Sequence, residues 1–273
     1  MGSSRGESTS PLWIQEVTGL KTLNLSASGS ELTSKLAFVN IAIENTQVKK
    51  VIWLADYFEL ITQNRDIKIK STPALRKYLK DGDSAKSWDV FANDIQGLLN
   101  HNTTEASFHF LNNHSETTIT QGMGSDIDYK NCMSPEFKGK ESEESLKKEI
   151  DMIYQSYSHD ILVPQQDDRE WATFKKMVAN LESRGIDLMI VVPPYHPDFV
   201  GRLKSEHPDI YERHLKWIAQ LKTLKSAKTN VVDFFSGIPG TDSSPSYWDD
   251  GIHFTCKSSG LMLKDLVSAW GSK

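Results

Sequence analysis

Ile186-Asp187-Leu188-Met189-Ile190-Val191-Val192 is an almost unbroken apolar run of strand length, closed by Pro193-Pro194-Tyr195-His196-Pro197. A strand that is apolar at nearly every position, and not at every second one, is covered on both faces. That is the habit of parallel sheets sandwiched between helices. Its flanks agree. Upstream, Asp167 to Arg184 places Trp171, Phe174, Val178 and Leu181 on one helical face, and Gly185 follows as a C-cap. Downstream, Asp209 to Ser226 reads as a long helix with Leu215, Ile218, Leu221 and Leu224 inward, before a strand at Asn230-Val231-Val232-Asp233-Phe234-Phe235. Helix, strand, helix, strand at these lengths is a parallel α/β arrangement.

The amino-terminal part carries the same rhythm. Ser10-Pro11 reads as an N-cap with proline at the first helical position, and Gly19 as the stop of that helix. Thr22 to Ser26 reads as a short buried strand ending in the small-residue turn Ala27-Ser28-Gly29-Ser30. Glu31 to Asn45 is an amphipathic helix with Leu32, Leu36, Val39 and Ile43 on its apolar face. Val51-Ile52-Trp53-Leu54-Ala55 is a further buried strand, ending at Asp56-Tyr57. Glu144 to Tyr157 and Lys257 to Trp270 complete the helices of the regular part. The expectation is one α/β domain over 1–273 with four parallel strands, interrupted by an insertion or cap at about 60–145. Within that insertion, helices are expected from Thr72 to Lys80 and from Trp88 to Leu99. His101, His109 and His114 lie there at spacings that match no metal signature.

Bulk properties bound the function classes. The 273 residues carry a formal charge of -5, so nucleic acid is not an expected partner. No apolar run reaches the roughly 20 residues of a membrane span. Cys132 and Cys256 form no CxxC or metal pattern, and sequence alone neither argues for a disulfide between them nor excludes one. No cofactor motif is present: neither a P-loop nor GxGxxG occurs.

Parallel sheets place their ligands beyond the carboxyl ends of the strands. The residues found there are Ser26 to Ser30, Asp56-Tyr57, Pro194 to His196, and the loop after Phe235 that leads to Tyr247-Trp248-Asp249-Asp250-Gly251-Ile252-His253. Asp250 stands three residues before His253. A carboxylate so placed can hold one imidazole nitrogen and leave the other to take a proton, which is the back half of a nucleophilic triad. For the nucleophile, Cys256 lies too close along the chain to face the ring. Ser4 is the better candidate, in Gly2-Ser3-Ser4-Arg5 ahead of a helix, where a tight turn exposes backbone N–H groups to an oxyanion. Gly29 offers a second N–H. (Gly-Ser-Ser after Met is also the form of an expression-tag scar, but no His run follows.)

These residues resemble the SGNH (GDSL-like) hydrolase superfamily. Gly2-Ser3-Ser4-Arg5 looks like its first block, Asn24-Leu25-Ser26-Ala27-Ser28-Gly29 like the block carrying the oxyanion glycine, and Asp250-x-x-His253 like its last block. Trp53 to Tyr57 and Val191 to His196 are similar to strand ends in a bacterial branch related to proteins of alginate O-acetylation and teichoic-acid D-alanylation. The resemblance implies a flavodoxin-like three-layer α/β/α sandwich with a mostly parallel sheet. It implies Ser4 as nucleophile, His253 as general base and Asp250 as its orienting partner, with Ser4 and Gly29 amides at the oxyanion. Arg5, Asp56, Tyr57, Tyr195 and His196 are then candidates for substrate contacts, without metal or cofactor. The implied activity is that of an esterase or O-acyltransferase acting on an acylated carbohydrate or cell-envelope polymer, in the periplasm or outside the cell.

Two departures from the family pattern stand out. No Gly-x-Asn-Asp supplies the side chain that usually completes the oxyanion hole, and Asp56-Tyr57-Phe58 ends the matching strand. The family's first block also follows a central strand, and only Met1 precedes Gly2, so the expectation is an amino-terminal truncation or misassigned start with that strand missing from the chain. The alternatives are a non-catalytic SGNH-like domain that binds a polysaccharide or a partner protein, and a flavodoxin-like nucleotide-binding protein using the Ser-rich turn at 26–30.

Overall fold

Three apolar runs pair into one parallel sheet in the computed structural model of the chain, which describes residues 1–61, 78–79 and 126–271. The strands are β1 (Lys50–Leu54), β2 (Asp187–Val192) and β3 (Thr229–Asp233), in the order β1-β2-β3. Leu54 stands opposite Val191, and Val192 opposite Asp233, so all three strands run out at one edge.

Side-chain alternation along the sheet divides the core in two. Trp53, Leu188, Ile190 and Val192 face one way, into a cluster with Leu32, Leu36 and Val39 of α2 (Leu32–Asn45), Phe174, Val178 and Leu181 of α5 (Asp168–Ser183), and Ile218 and Leu221 of α7 (Pro208–Lys222). Leu54, Met189 and Val191 face the other way, onto Trp13 and Ile14 of α1 (Pro11–Thr18), Leu146 and Ile150 of α4 (Glu143–Ser156), and Met262, Leu263 and Leu266 of α8 (Cys256–Gly271). Helices thus cover both faces, which explains why β2 carries apolar side chains on both: five of its six residues are buried. The fold is mixed α/β, compatible with a three-layer arrangement. Among the described residues no helix is long and apolar enough to cross a membrane.

Among the described residues the expected helices are present with shifted ends, and one was overlooked. Ser10 caps α1 through its hydroxyl, and Gly19 closes it in the left-handed region at φ 69°. The stretch after β2, read as a stop, begins α6 (Pro197–Glu206), with His196 as N-cap accepting from the Asp198 amide. Proline at the first helical position followed by an acidic residue is a helix start as much as a strand stop. The single long helix expected from Asp209 is α7, which begins at Pro208.

The fourth expected strand, Thr22 to Ser26, is corrected. Only Asn24 makes an isolated bridge there. Its side chain fixes the segment instead: Nδ2 donates to the carbonyls of Gly6 and Thr9, and Oδ1 accepts the Ser26 amide. The expected helices at 72–80 and 88–99, and His101, His109 and His114, lie outside the described residues, save Tyr78 and Leu79. The described end of the region read as an insertion holds α3 (Tyr129–Cys132), and Cys132 forms a disulfide with Cys256 at the start of α8.

Candidate active site

Four loops meet at the carboxyl edge of the sheet. The first is the chain's opening turn. The Leu54 amide donates to Met1 O, and the Ala27 amide to Gly2 O, so Met1 and Gly2 lie between the end of β1 and the 24–27 segment. The next residues therefore emerge at the carboxyl edge of the sheet. Close packing fixes this turn: a Cβ on Gly6 would stand 2.2 Å from Ser26 Oγ, and one on Gly2 would stand 2.9 Å from Leu54 Cδ1. Ser4, Arg5 and Gly6 form a single 3-10 turn with Ser3 as its N-cap. Ser3 and Arg5 are buried below it, and Ser4 stays half-exposed.

The second loop joins β3 to α8. Trp248 is fully buried, donates Nε1 to Asp242 O, and pairs with Phe254 in an antiparallel bridge. Between them the chain turns tightly, with the Asp249 amide donating to His253 O at 3.0 Å. Thr255 adds a backbone bond to Tyr247 and a hydroxyl bond to Ser246 O. Asp250 and His253 stand within this braced turn.

The two loops bring the expected triad together. Ser4 Oγ lies 2.8 Å from His253 Nε2, and His253 Nδ1 lies 2.6 Å from Asp250 Oδ2. A carboxylate facing Nδ1 draws the proton to that nitrogen, so Nε2 is the acceptor for the Ser4 hydroxyl. Burial alone would raise the Asp250 carboxyl. The His253 hydrogen bond and charge, with the amides of His253 and Ile252, outweigh it and hold the group below its ordinary value. The arrangement has the parts of a charge-stabilised general base on a serine.

Asp56 lies two residues past β1, as the N-cap of a 3-10 turn over Tyr57–Leu60. It is 1% exposed and faces inward, where it accepts from Ser3 Oγ at 2.7 Å and pairs with Arg5 Nη1 at 3.1 Å and Lys35 Nζ at 3.5 Å. Lys35 also bonds Glu59 and the Leu54 carbonyl, and Glu59 accepts from Trp53 Nε1 and the Asp56 amide. The carboxylate that stands in place of the family's asparagine block is thus paired with buried cations.

Several candidate substrate contacts are occupied otherwise. Arg5 is 3% exposed and spends its guanidinium on Asp56, Ile252 O and Pro194 O, lying 4.4 Å over the Tyr195 ring. Tyr195 is itself buried, and burial pushes its hydroxyl up to about 12 although Arg5 pulls it down. Tyr57 packs against His214 and Trp217. His196 borders a cleft of about 400 Å³ between α4 and the 242–245 loop, yet both its ring nitrogens are engaged, with Ser243 O and the Asp198 amide. Gly29 sits in an exposed turn at φ 70°. Cys256 is held in the disulfide and is no free thiol.

Sequence reading missed Ser3, Lys35 and Glu59. Lys35 did carry a signal: it falls beside Leu32, Leu36 and Val39 on the apolar face of α2, where a lysine is out of place without a carboxylate partner. Among the described residues, no group of three or more His, Cys, Asp or Glu side chains is arranged to hold a metal ion. No protein-family model matches the chain, and no curated protein matches it either.

Proposed function

We propose that the chain is a serine-dependent, SGNH-like esterase or O-acyltransferase with a flavodoxin-like α/β/α sandwich, working through an acyl-enzyme on Ser4. The observation that carries this reading is the continuous line from Ser4 Oγ through His253 to Asp250, built from loops 249 residues apart in sequence. A nucleophile–base contact and a base–orienter contact in one line are the geometry that this chemistry requires.

The chemistry follows from the geometry. Ser4 Oγ attacks the ester carbonyl carbon as its proton passes to His253 Nε2. Asp250 holds the imidazole and stabilises the imidazolium, remaining ionised itself. The carbonyl oxygen becomes an oxyanion, for which the Ser4 and Gly29 amides are the proposed donors. Collapse expels the alcohol, which takes the proton from His253. Water or a second hydroxyl then attacks the acyl-serine carbonyl, giving its proton to His253, and Ser4 leaves reprotonated. Hydrolysis and transfer share every protein group and differ only in the second nucleophile.

Acylated carbohydrate or envelope polymer is the proposed substrate class, on the strength of the motif resemblance. The Cys132–Cys256 disulfide supports an oxidising compartment outside the cytoplasm, where such bonds persist. A second reading, a non-catalytic domain that binds a polysaccharide or a partner protein, is favoured by one observation. Asp56, at the strand end where hydrolases present an asparagine, is locked in ion pairs and gives the oxyanion no donor.

A fluorophosphonate probe followed by peptide mass mapping separates the two. The enzyme reading expects labelling at Ser4 that disappears in His253→Ala. Absence of labelling in the folded wild-type protein, together with glycan binding without turnover, would establish the second reading.

A further inference from the structure

Arg5 touches every part of the arrangement that has to be aligned. It follows Ser4 directly, so its main chain belongs to the nucleophile turn. Its Nε donates to the carbonyl of Ile252 at 3.0 Å, and Ile252 immediately precedes His253. One terminal nitrogen donates to Pro194 O, in the loop after β2, and the other pairs with Asp56 after β1 at 3.1 Å. The ring of Tyr195 lies under the guanidinium with its centroid at 4.4 Å. A single planar fork therefore joins the nucleophile turn, the base loop and the ends of two strands, in a place only 3% exposed.

The neighbouring bonds complete the bracket. The His196 amide donates to Gly251 O at 3.0 Å, so the loop after β2 holds the Asp250–His253 turn from a second side. Ser3, on the other flank of Ser4, donates to the same Asp56 that pairs with Arg5. Ser4 is thus suspended between two residues anchored on one carboxylate. Only one of them, Arg5, continues to the histidine loop. Lysine could not substitute: its ammonium is a point charge without the rigid fork that reaches three acceptors at fixed angles.

We propose that Arg5 is the positioning residue that sets the Ser4–His253 separation, acting through Ile252 O and Pro194 O and not merely as the counter-ion of Asp56. This rests on the reading of Ser4 as nucleophile. The alternative role, charge compensation alone, makes a different prediction when the charge is removed from both partners.

The discriminating variant is Arg5→Met with Asp56→Asn, which removes both charges of the pair together and leaves Lys35 its contact with Glu59. Positioning predicts that this folded protein labels with fluorophosphonate at least about 30-fold more slowly than wild type. Such a loss corresponds to a displacement of somewhat less than about 1 Å in a reacting pair. On an aryl acetate the loss falls on kcat with KM nearly unchanged, and a crystal structure shows Ser4 Oγ and His253 Nε2 moved beyond hydrogen-bonding distance. Wild-type rates, or a retained 2.8 Å contact, in the double variant overturn the proposal. Arg5→Lys, which keeps the charge beside Asp56, is the second arm: it is expected to fold and to lose rate similarly, and full activity overturns the proposal. The structural readout separates this proposal from the enzyme reading. An unreactive wild-type protein whose Ser4–His253 contact opens in the double variant defeats the activity and leaves the positioning role supported.

Discussion

Asp250 Oδ2 lies 2.6 Å from His253 Nδ1, while the other carboxylate oxygen accepts the amides of both Ile252 and His253 at 2.7 Å. The same side chain therefore shapes the turn and orients the ring. The bond to the Ile252 amide, two residues on, closes an Asx turn, and the bond to the His253 amide one residue further brings the ring to the same carboxylate. One carboxylate thus carries both the backbone turn and the contact to the imidazole.

Asp250→Asn separates these two roles. An asparagine can still accept the backbone amides through its oxygen, so the turn is expected to survive. Its Nδ2–H group, however, would then face His253 Nδ1 and draw the ring proton to Nε2, where it blocks acceptance from Ser4. Ester turnover is expected to fall by about 10³- to 10⁴-fold, with little change in KM or melting temperature. Steady-state kinetics on an aryl ester measures this, and near wild-type turnover would show that His253 is not the base.

The α/β class was legible because burial on both faces of β2 leaves a continuous apolar run. The meeting of Ser4, His253 and Asp250 was legible because the loops that carry them are delivered to one edge of the sheet. What failed was whatever depended on side chains acting on distant backbone. Asn24 sits in a sequence that reads as a strand, but its amide prefers the Gly6 and Thr9 carbonyls to a ladder. Asp56, Tyr57 and Tyr195 look like pocket residues because they are polar or aromatic just after strands, and Arg5 because it belongs to the first-block resemblance, yet all four are buried. A charge at such a position says equally that a ligand is bound or that an opposite charge lies inside, and only Lys35, misplaced on an apolar helix face, hinted at the second.

The disulfide yields a stability prediction. Cys132 and Cys256 are 124 residues apart, so the bond restricts a long stretch of unfolded chain. It also ties α3 to the first residue of α8, three residues beyond His253. Replacing both cysteines by serine, or reducing the wild type, is expected to cost about 3 kcal/mol. For a chain of this size that is a fall in melting temperature of about 6–12 °C. Scanning calorimetry with and without reductant checks it; an unchanged transition would mean that the bond is not formed.

The buried cation in α2 is testable in the same way. Lys35 is fully buried and bonds Glu59, Asp56 and Leu54 O. Burial lifts the Glu59 carboxyl to about 7, against the pull of Lys35. Lys35→Met leaves that carboxyl without its cation and is expected to destabilise the fold by about 3 kcal/mol near pH 8. The loss should shrink as pH falls, because protonation of Glu59 removes the unpaired charge. Lys35→Met combined with Glu59→Gln should recover most of the stability. Urea titrations at pH 6 and 8 measure both effects, and equal losses at the two values would argue against an ionised Glu59 as the cause.

His214 provides a pH dependence of the opposite sign. It is enclosed by Tyr57, Tyr195, Trp217 and Phe235, with ring centroids 4.4 to 5.8 Å away. Burial drives its pKa down to about 3, with Arg5 and Arg213 adding to the effect. In the unfolded chain the same group titrates near an ordinary histidine value of about 6.5. Between those values the unfolded state binds the extra proton, so its population gains as pH falls. The contribution of His214 to stability is therefore complete above about pH 6.5 and is lost progressively toward pH 3. At pH 5 this group alone is expected to cost about 2 kcal/mol relative to pH 7. His214→Phe, which keeps an aromatic ring in an aromatic site, should flatten that part of the profile. Urea midpoints for the two proteins at pH 7 and pH 5 decide the matter. Parallel losses in both would place the acid sensitivity on other groups and remove His214 from the account.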